Sequence, residues 1–210
     1  MKTITVPMLQ RMWTNAAPAF VAAFVALAPA IFEQYGINTD RRLKHFLGQI
    51  SHETNGASLK GAGMRESLYY THSSAMMKAW PKRFPTEAST LPYLRNERAL
   101  AAKVYNGRMG NREGTDDGYN YRGAGLLQNT GREMFEKLAK LTGIDLVNHP
   151  ELIDDPKVNI TCACIEFSSK CLPAADRDDG DTVSRLVNGG DNGLKERRVW
   201  TARWGQVLAA

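Results

Sequence analysis

The 210-residue chain is short of cysteine, histidine and long apolar runs, and each shortage excludes a class of protein. Its three cysteines, Cys162, Cys164 and Cys171, crowd into one stretch. An odd number so closely spaced gives no disulfide framework and favours synthesis in a reducing compartment. A Cys-x-Cys without a matching Cys or His pair is a poor zinc site, so these residues read as buried free thiols in a helix. The four histidines, His45, His52, His72 and His149, lack any His-Glu-x-x-His spacing, and no metal or cofactor is expected. No Gly-x-Ser-x-Gly nucleophile elbow or phosphate-binding glycine loop with lysine is present. The most apolar run, Ala16 to Phe32, is interrupted by Pro18 and Pro29. It is too short and too weakly flanked by basic residues for a membrane span or export signal, and it reads as a buried helix. Internal repeats and low-complexity linkers are also missing.

What remains is globular: 43% apolar, 23% charged, net charge +5. The charge is uneven, with 14 basic against 6 acidic residues up to Gly110 and 13 against 16 from Asn111 onward. Such a field suits an anionic partner, whether nucleic acid, lipid or wall polymer. Nucleic acid is disfavoured because basic residues are not interleaved with aromatics on one face and no binding module is evident.

The periodicity is helical almost throughout, so the fold class is mainly α. Asp40 is a plausible cap for a helix whose stripe is Leu43, Phe46, Leu47 and Ile50. Gly56, Gly61 and Gly63 interrupt the pattern, and Glu66 to Tyr70 is too short to assign. A helix is expected over Leu94 to Tyr105. Asn106 to Gly125 carries six glycines and no helical stripe, a length of irregular chain that is usually functional. Thr130 to Glu133 has the form of a capping box, with Gly143 as the stop of the helix that follows. Asp155-Pro156 opens the next helix and Asp181 to Val187 forms another, ended by Gly189. The last carries Leu194, Trp200, Trp204 and Leu208. Its tryptophans beside Arg197, Arg198 and Arg203 read as a docked core helix rather than a membrane-surface one.

Two carboxylates stand out. Glu53 falls about 80° from Leu43 on the helical wheel, at the rim of the apolar stripe. Desolvation there would raise its pKa, as a general acid requires. Glu66 precedes Leu68-Tyr69-Tyr70, and tyrosines near a carboxylate are typical of sugar clefts. Two carboxylates flanking a scissile bond are the minimal equipment for glycoside hydrolysis.

Taken in order, several strings resemble one family: His52-Glu53-Thr54, Glu66 to Tyr70, Arg108 to Asn111, Gly118 to Gly125, Leu127 to Gly131, and Asn188-Gly-Gly190 with Asn192 to Leu194 and Arg197. They are similar to glycoside hydrolase family 19, and more to its phage endolysins, which cleave peptidoglycan, than to its plant chitinases. The resemblance runs from about residue 40 to the end. It implies a lysozyme-like α-helical domain with two lobes around a cleft, and hydrolysis with inversion, for which carboxyl groups stand roughly 6.5–9.5 Å apart. Residue by residue it makes Glu53 the general acid, Glu66 the general base and Thr130 the holder of the attacking water, and it places Gln128 and Asn188 in the sugar cleft. Tyr70 and Tyr121 are further substrate-binding candidates. The chain departs from the family pattern at Asn55-Gly56, Tyr69, Ala124 and Asn129, which bears on sugar preference and not on reaction class.

The expectation is therefore an endolysin that cuts peptidoglycan glycan strands and lyses the host cell. It would be one catalytic domain over 1–210 with residues 1–39 packed on it, without a separate wall-binding domain. The expected protein is a monomer, not inserted in membranes, made in the host cytoplasm without a clear signal peptide and acting on the wall after release. The alternatives are a chitinase of the same family, a zinc amidase, and a non-enzymatic wall-binding or nucleic-acid-binding protein.

Overall fold

The computed structural model describes residues 1–59 and 63–210. Gly61 lies outside them. The described elements are α1 (Val6–Met12), α2 (Pro18–Gln34), α3 (Asp40–Glu53), α4 (Ser73–Ala79), α5 (Glu87–Thr90) and α6 (Glu97–Tyr105), followed by α7 (Asp117–Asn120), α8 (Arg132–Thr142), α9 (Pro156–Asp176), α10 (Gly180–Asn188) and α11 (Leu194–Ala209). Among the described residues the one β pairing outside helices is an isolated antiparallel bridge, Ala124 to Asn129. The mainly α fold is as the sequence pattern implies.

Several helix ends differ from expectation. α2 begins at Pro18, where a missing N–H leaves nothing unsatisfied, and it continues past Pro29. No helix among the described residues is long and apolar enough to cross a membrane. Thr39, not Asp40, caps α3: its hydroxyl accepts the Arg42 N–H at 3.2 Å, and Asp40 lies inside the first turn, where its charge suits the helix dipole. α6 starts at Glu97 behind an Asn96 cap, so Leu94 precedes it. The Thr130 capping box does not form. Gly131, at φ 92°, is the residue before α8, and the Glu133 N–H donates to the Met109 carbonyl at 3.1 Å. The Thr130 hydroxyl turns away and donates to the Gln128 carbonyl at 3.1 Å. Asp155-Pro156 opens α9 as expected, with the carboxylate accepting from Lys157 and Val158 N–H groups. Gly143 and Gly189 end α8 and α10 in the left-handed conformation.

The largest apolar cluster joins α1, α2, α3, α9 and α11. Edge-to-face rings run through it, Trp13 to Phe24 (5.2 Å), Phe24 to Phe32 (5.9 Å), Phe32 to Phe46 (5.5 Å) and Phe46 to Phe167 (5.4 Å). All four stripe residues of α3 are fully buried in it. Ser51 accepts hydrogen bonds from both Trp13 Nε1 and Trp204 Nε1 at 2.8 Å, which satisfies two buried indole donors and fixes α3 two residues before Glu53. The cysteines of α9 are free and buried, and burial pushes the Cys162 and Cys171 thiols up to about 12, which keeps them inert at neutral pH. Two smaller clusters lie elsewhere. One is built on Phe135, Leu138 and Tyr121, the other on Leu68, Phe84, Leu100 and Val104.

Candidate active site

Glu53 occupies the last turn of α3, where the apolar stripe ends. Its Oε1 accepts from Arg197 Nη2 at 2.5 Å, and Arg197, on α11, is only 2% exposed. The guanidinium is held in turn by Gln49, whose Oε1 accepts from Nη1 at 2.6 Å. The Arg197 Nε has no hydrogen-bond partner among the described residues. The side chain of Glu53 is 18% exposed. The expectation that apolar burial against Phe46 and Ile50 governs Glu53 is therefore corrected: its dominant neighbour is a buried cation. A buried pair of this kind is strongly destabilising to break, because one charge would be left uncompensated. His52 packs against Gly193, the residue before α11, where a Cβ would lie 2.5 Å from the imidazole Nε2. Only glycine allows that approach, and its φ of 68° suits it as well. Burial, reinforced by the Arg197 charge, lowers the His52 pKa and keeps the ring neutral.

Glu66 is positioned by irregular chain. Its N–H donates to the Gly123 carbonyl at 2.7 Å, and its own carbonyl accepts from Arg122 Nε at 3.1 Å. The Tyr105 hydroxyl is shared between the two carboxylate oxygens, 3.0 and 2.8 Å away. Burial pushes the Glu66 pKa above the ordinary carboxyl value, against the opposing pull of the Tyr105 hydrogen bond, the Gly123 backbone and the Arg122 charge. Burial and the same carboxylate push the Tyr105 phenol well up, so it stays protonated as a donor. Tyr105 was missed as a site residue in the sequence. The signal that could have found it is the general need of a buried tyrosine hydroxyl for a partner.

Gln128 comes with Glu66, and the Thr130 hydroxyl is held on the Gln128 carbonyl. Gln128 sits at φ 50°, its Nε2 donating to the carbonyls of Met64 (2.6 Å) and Gly125 (3.0 Å). Its Oε1 and Glu66 Oε2 both lie within 3.4 Å of the point a Cβ on Gly123 would occupy, so a side chain there would fill the space beside the carboxylate. Tyr70 is half-buried, edge-on to Trp80 at 5.5 Å, and its phenol is raised by burial and by the Glu66 charge. Asn188 is exposed at the end of α10, its Nδ2 donating to the Gly190 carbonyl at 3.3 Å. Tyr121 is a correction. It is 3% exposed, packs against Phe135, donates to the Val147 carbonyl at 2.6 Å and accepts from Arg132, so its ring offers no face to a sugar. Among the described residues no group hydrogen-bonds to both Glu53 and Glu66, and no cluster of three or more His, Cys, Asp or Glu side chains could hold a metal.

No protein-family model matches the chain. A Haemophilus influenzae protein described as a glycosyl hydrolase family 19 domain-containing protein is 30% identical over 169 residues, which is 80% of each chain. The chain belongs to glycoside hydrolase family 19. Chitinase C from Streptomyces griseus has the same fold, with a TM-score of 0.61 at 15% identity over 99% of this chain and 93% of that one. A second bacterial family 19 chitinase gives a TM-score of 0.59 at 15% identity, covering 100% and 96%. Membership makes the protein a glycoside hydrolase, and the lysozyme-like α-rich architecture is that of the family.

Proposed function

We propose that this family 19 hydrolase is an endolysin that cuts bacterial peptidoglycan glycan strands with inversion, lysing the host cell. The observation that carries the two-carboxylate mechanism is the contrast between the acidic groups. One is clasped by a buried arginine; the other is buried and bound by a phenol. Glu53 is proposed as the general acid on its place in the His52-Glu53-Thr54 motif and not on its surroundings, since the contact with Arg197 stabilises only the carboxylate formed once the proton has passed to the leaving oxygen. Glu66 is the proposed general base. A carboxylate with a raised pKa is a stronger proton acceptor wherever the working pH exceeds that pKa, and Glu66 is raised by burial. Thr130 and Gln128 are proposed to hold the attacking water beside it, with Tyr70 and Asn188 as sugar contacts and no metal or cofactor in the step. The basic N-terminal half supports an anionic wall as substrate. The protein is proposed to act as a monomer in the periplasm, without nucleic acid or stable membrane insertion.

The second reading is a chitinase, favoured by the likeness of the fold to two bacterial family 19 chitinases. Turnover of purified peptidoglycan against chitin oligosaccharides separates the two. The endolysin reading expects wall hydrolysis that survives chelation. Activity on chitin alone would overturn it.

A further inference from the structure

A recess of about 240 Å³, its lining including Arg65, Tyr119, Arg122, Pro150, Glu151 and Asp154, is linked to the Glu66 backbone through Arg122. Its two cations differ in kind. Arg65 is committed to the protein, Nε to Asp154 at 2.8 Å and Nη2 to the Pro150 carbonyl at 2.8 Å, so it builds the wall. Arg122 lies flat on Tyr119, 4.0 Å from the ring centroid, while Arg98 is 4.5 Å from the same centroid. Nε and Nη1 of Arg122 are used on the carbonyls of Glu66 and Tyr119, and its Nη2 has no acceptor among the described residues. Opposite in charge, Glu151 is 65% exposed, its carboxylate held by its own backbone N–H and by His149 at 3.1 Å. The recess therefore offers a guanidinium edge for a carboxylate and a solvent-facing carboxylate for an ammonium, in a space of amino-acid size.

We infer that this recess is a subsite for a zwitterionic amino-acid group of the peptidoglycan stem peptide, with Arg122 taking its carboxylate and Glu151 its ammonium. The inference rests on the peptidoglycan reading, since a chitin chain carries no such group. It ties specificity to the site directly, because Arg122 also grips the Glu66 backbone. A glycan whose stem peptide fills the recess is held beside the base.

The test uses the full chain and two measurements. Rates are compared on whole peptidoglycan and on glycan strands from the same wall stripped of peptide by an amidase, for wild type and Glu151→Lys. Binding of a free stem tripeptide ending in a diamino acid is followed by NMR at the Tyr119 and Arg122 signals. The expected results are a lower KM for the peptide-bearing substrate, a loss of about threefold to fivefold of that preference in Glu151→Lys, the size of one exposed charge contact, and tripeptide shifts at Tyr119 that the variant weakens. Equal KM on both glycans in wild type, or an unchanged preference in Glu151→Lys, would overturn the subsite. Tripeptide binding at Tyr119 without wall hydrolysis would uphold the subsite and sink the endolysin reading; no shift at Tyr119 would overturn the subsite whatever the hydrolysis result.

Discussion

Glu53 and Glu66 are held by opposite means. Glu53 ends a helix with a fully buried apolar face, fixed by Ser51 between two indoles and by a buried arginine from α11. Glu66 lies in irregular chain against the Gly123 to Gly125 segment, fixed by Gly123, Arg122 and a tyrosine from α6. Regular structure gives the first its direction, while the second depends on backbone that only particular residues tolerate, such as Gln128 at φ 50°. The comparison shows one carboxylate fixed by a packed core and the other by the hydrogen bonds of irregular chain.

The largest effect expected on the helical side is chemical. Glu53→Gln keeps size and shape but cannot donate a proton, so kcat on purified wall should fall by about 10²–10⁴-fold, and because the buried Arg197 then loses its counter-charge the melting temperature should fall too. Arg197→Met should be worse for the fold, because Gln49 loses its donor and Glu53 is left without its buried partner. A loss of about 3–5 kcal/mol in urea unfolding is expected, with kcat reduced as well. If Arg197→Met unfolds like wild type, the helical side is not rigid for the reason given.

On the loop side the effects are smaller and depend on pH. Tyr105→Phe removes a hydrogen bond that favours the ionised Glu66. The acid limb of the kcat/KM profile should therefore move to higher pH, by about one unit. A shift to lower pH would contradict the part given to the Tyr105 hydrogen bond. Glu66→Gln should abolish turnover yet stabilise the protein. A carboxyl whose folded pKa is raised favours folding below its unfolded pKa and loses that contribution as pH rises through the folded value. At neutral pH the ionised group thus opposes folding, and the amide removes that opposition. A rise in melting temperature of about 1–3 °C at pH 7, shrinking toward pH 4, is expected by calorimetry.

The same contrast decides what could be read from the sequence. The α3 stripe, the Asp155-Pro156 start of α9 and the glycine stops of α8 and α10 are local patterns of spacing and capping, and they were legible. The Thr130 capping box has the right local letters, yet Met109 from a distant loop takes the Glu133 N–H instead. Glu53, Glu66 and Arg197 belong to motifs that point to the family, but the partner of each carboxylate comes from packing. Arg197 lies 144 residues from Glu53 and Tyr105 lies 39 from Glu66. Tyr121 misled for a related reason. A tyrosine in a glycine-rich loop looks available, and only the fold shows Phe135 and Arg132 closing over it.

The most direct measurement is the chemistry of the ends released from purified peptidoglycan by wild type, Glu53→Gln and Glu66→Gln, read as the reducing sugar and its first-formed anomer. The account expects new reducing ends of inverted configuration from wild type and almost none from either variant. Retained configuration, fragments with new amino termini but no reducing ends, or cutting by Glu53→Gln at the wild-type rate would contradict it.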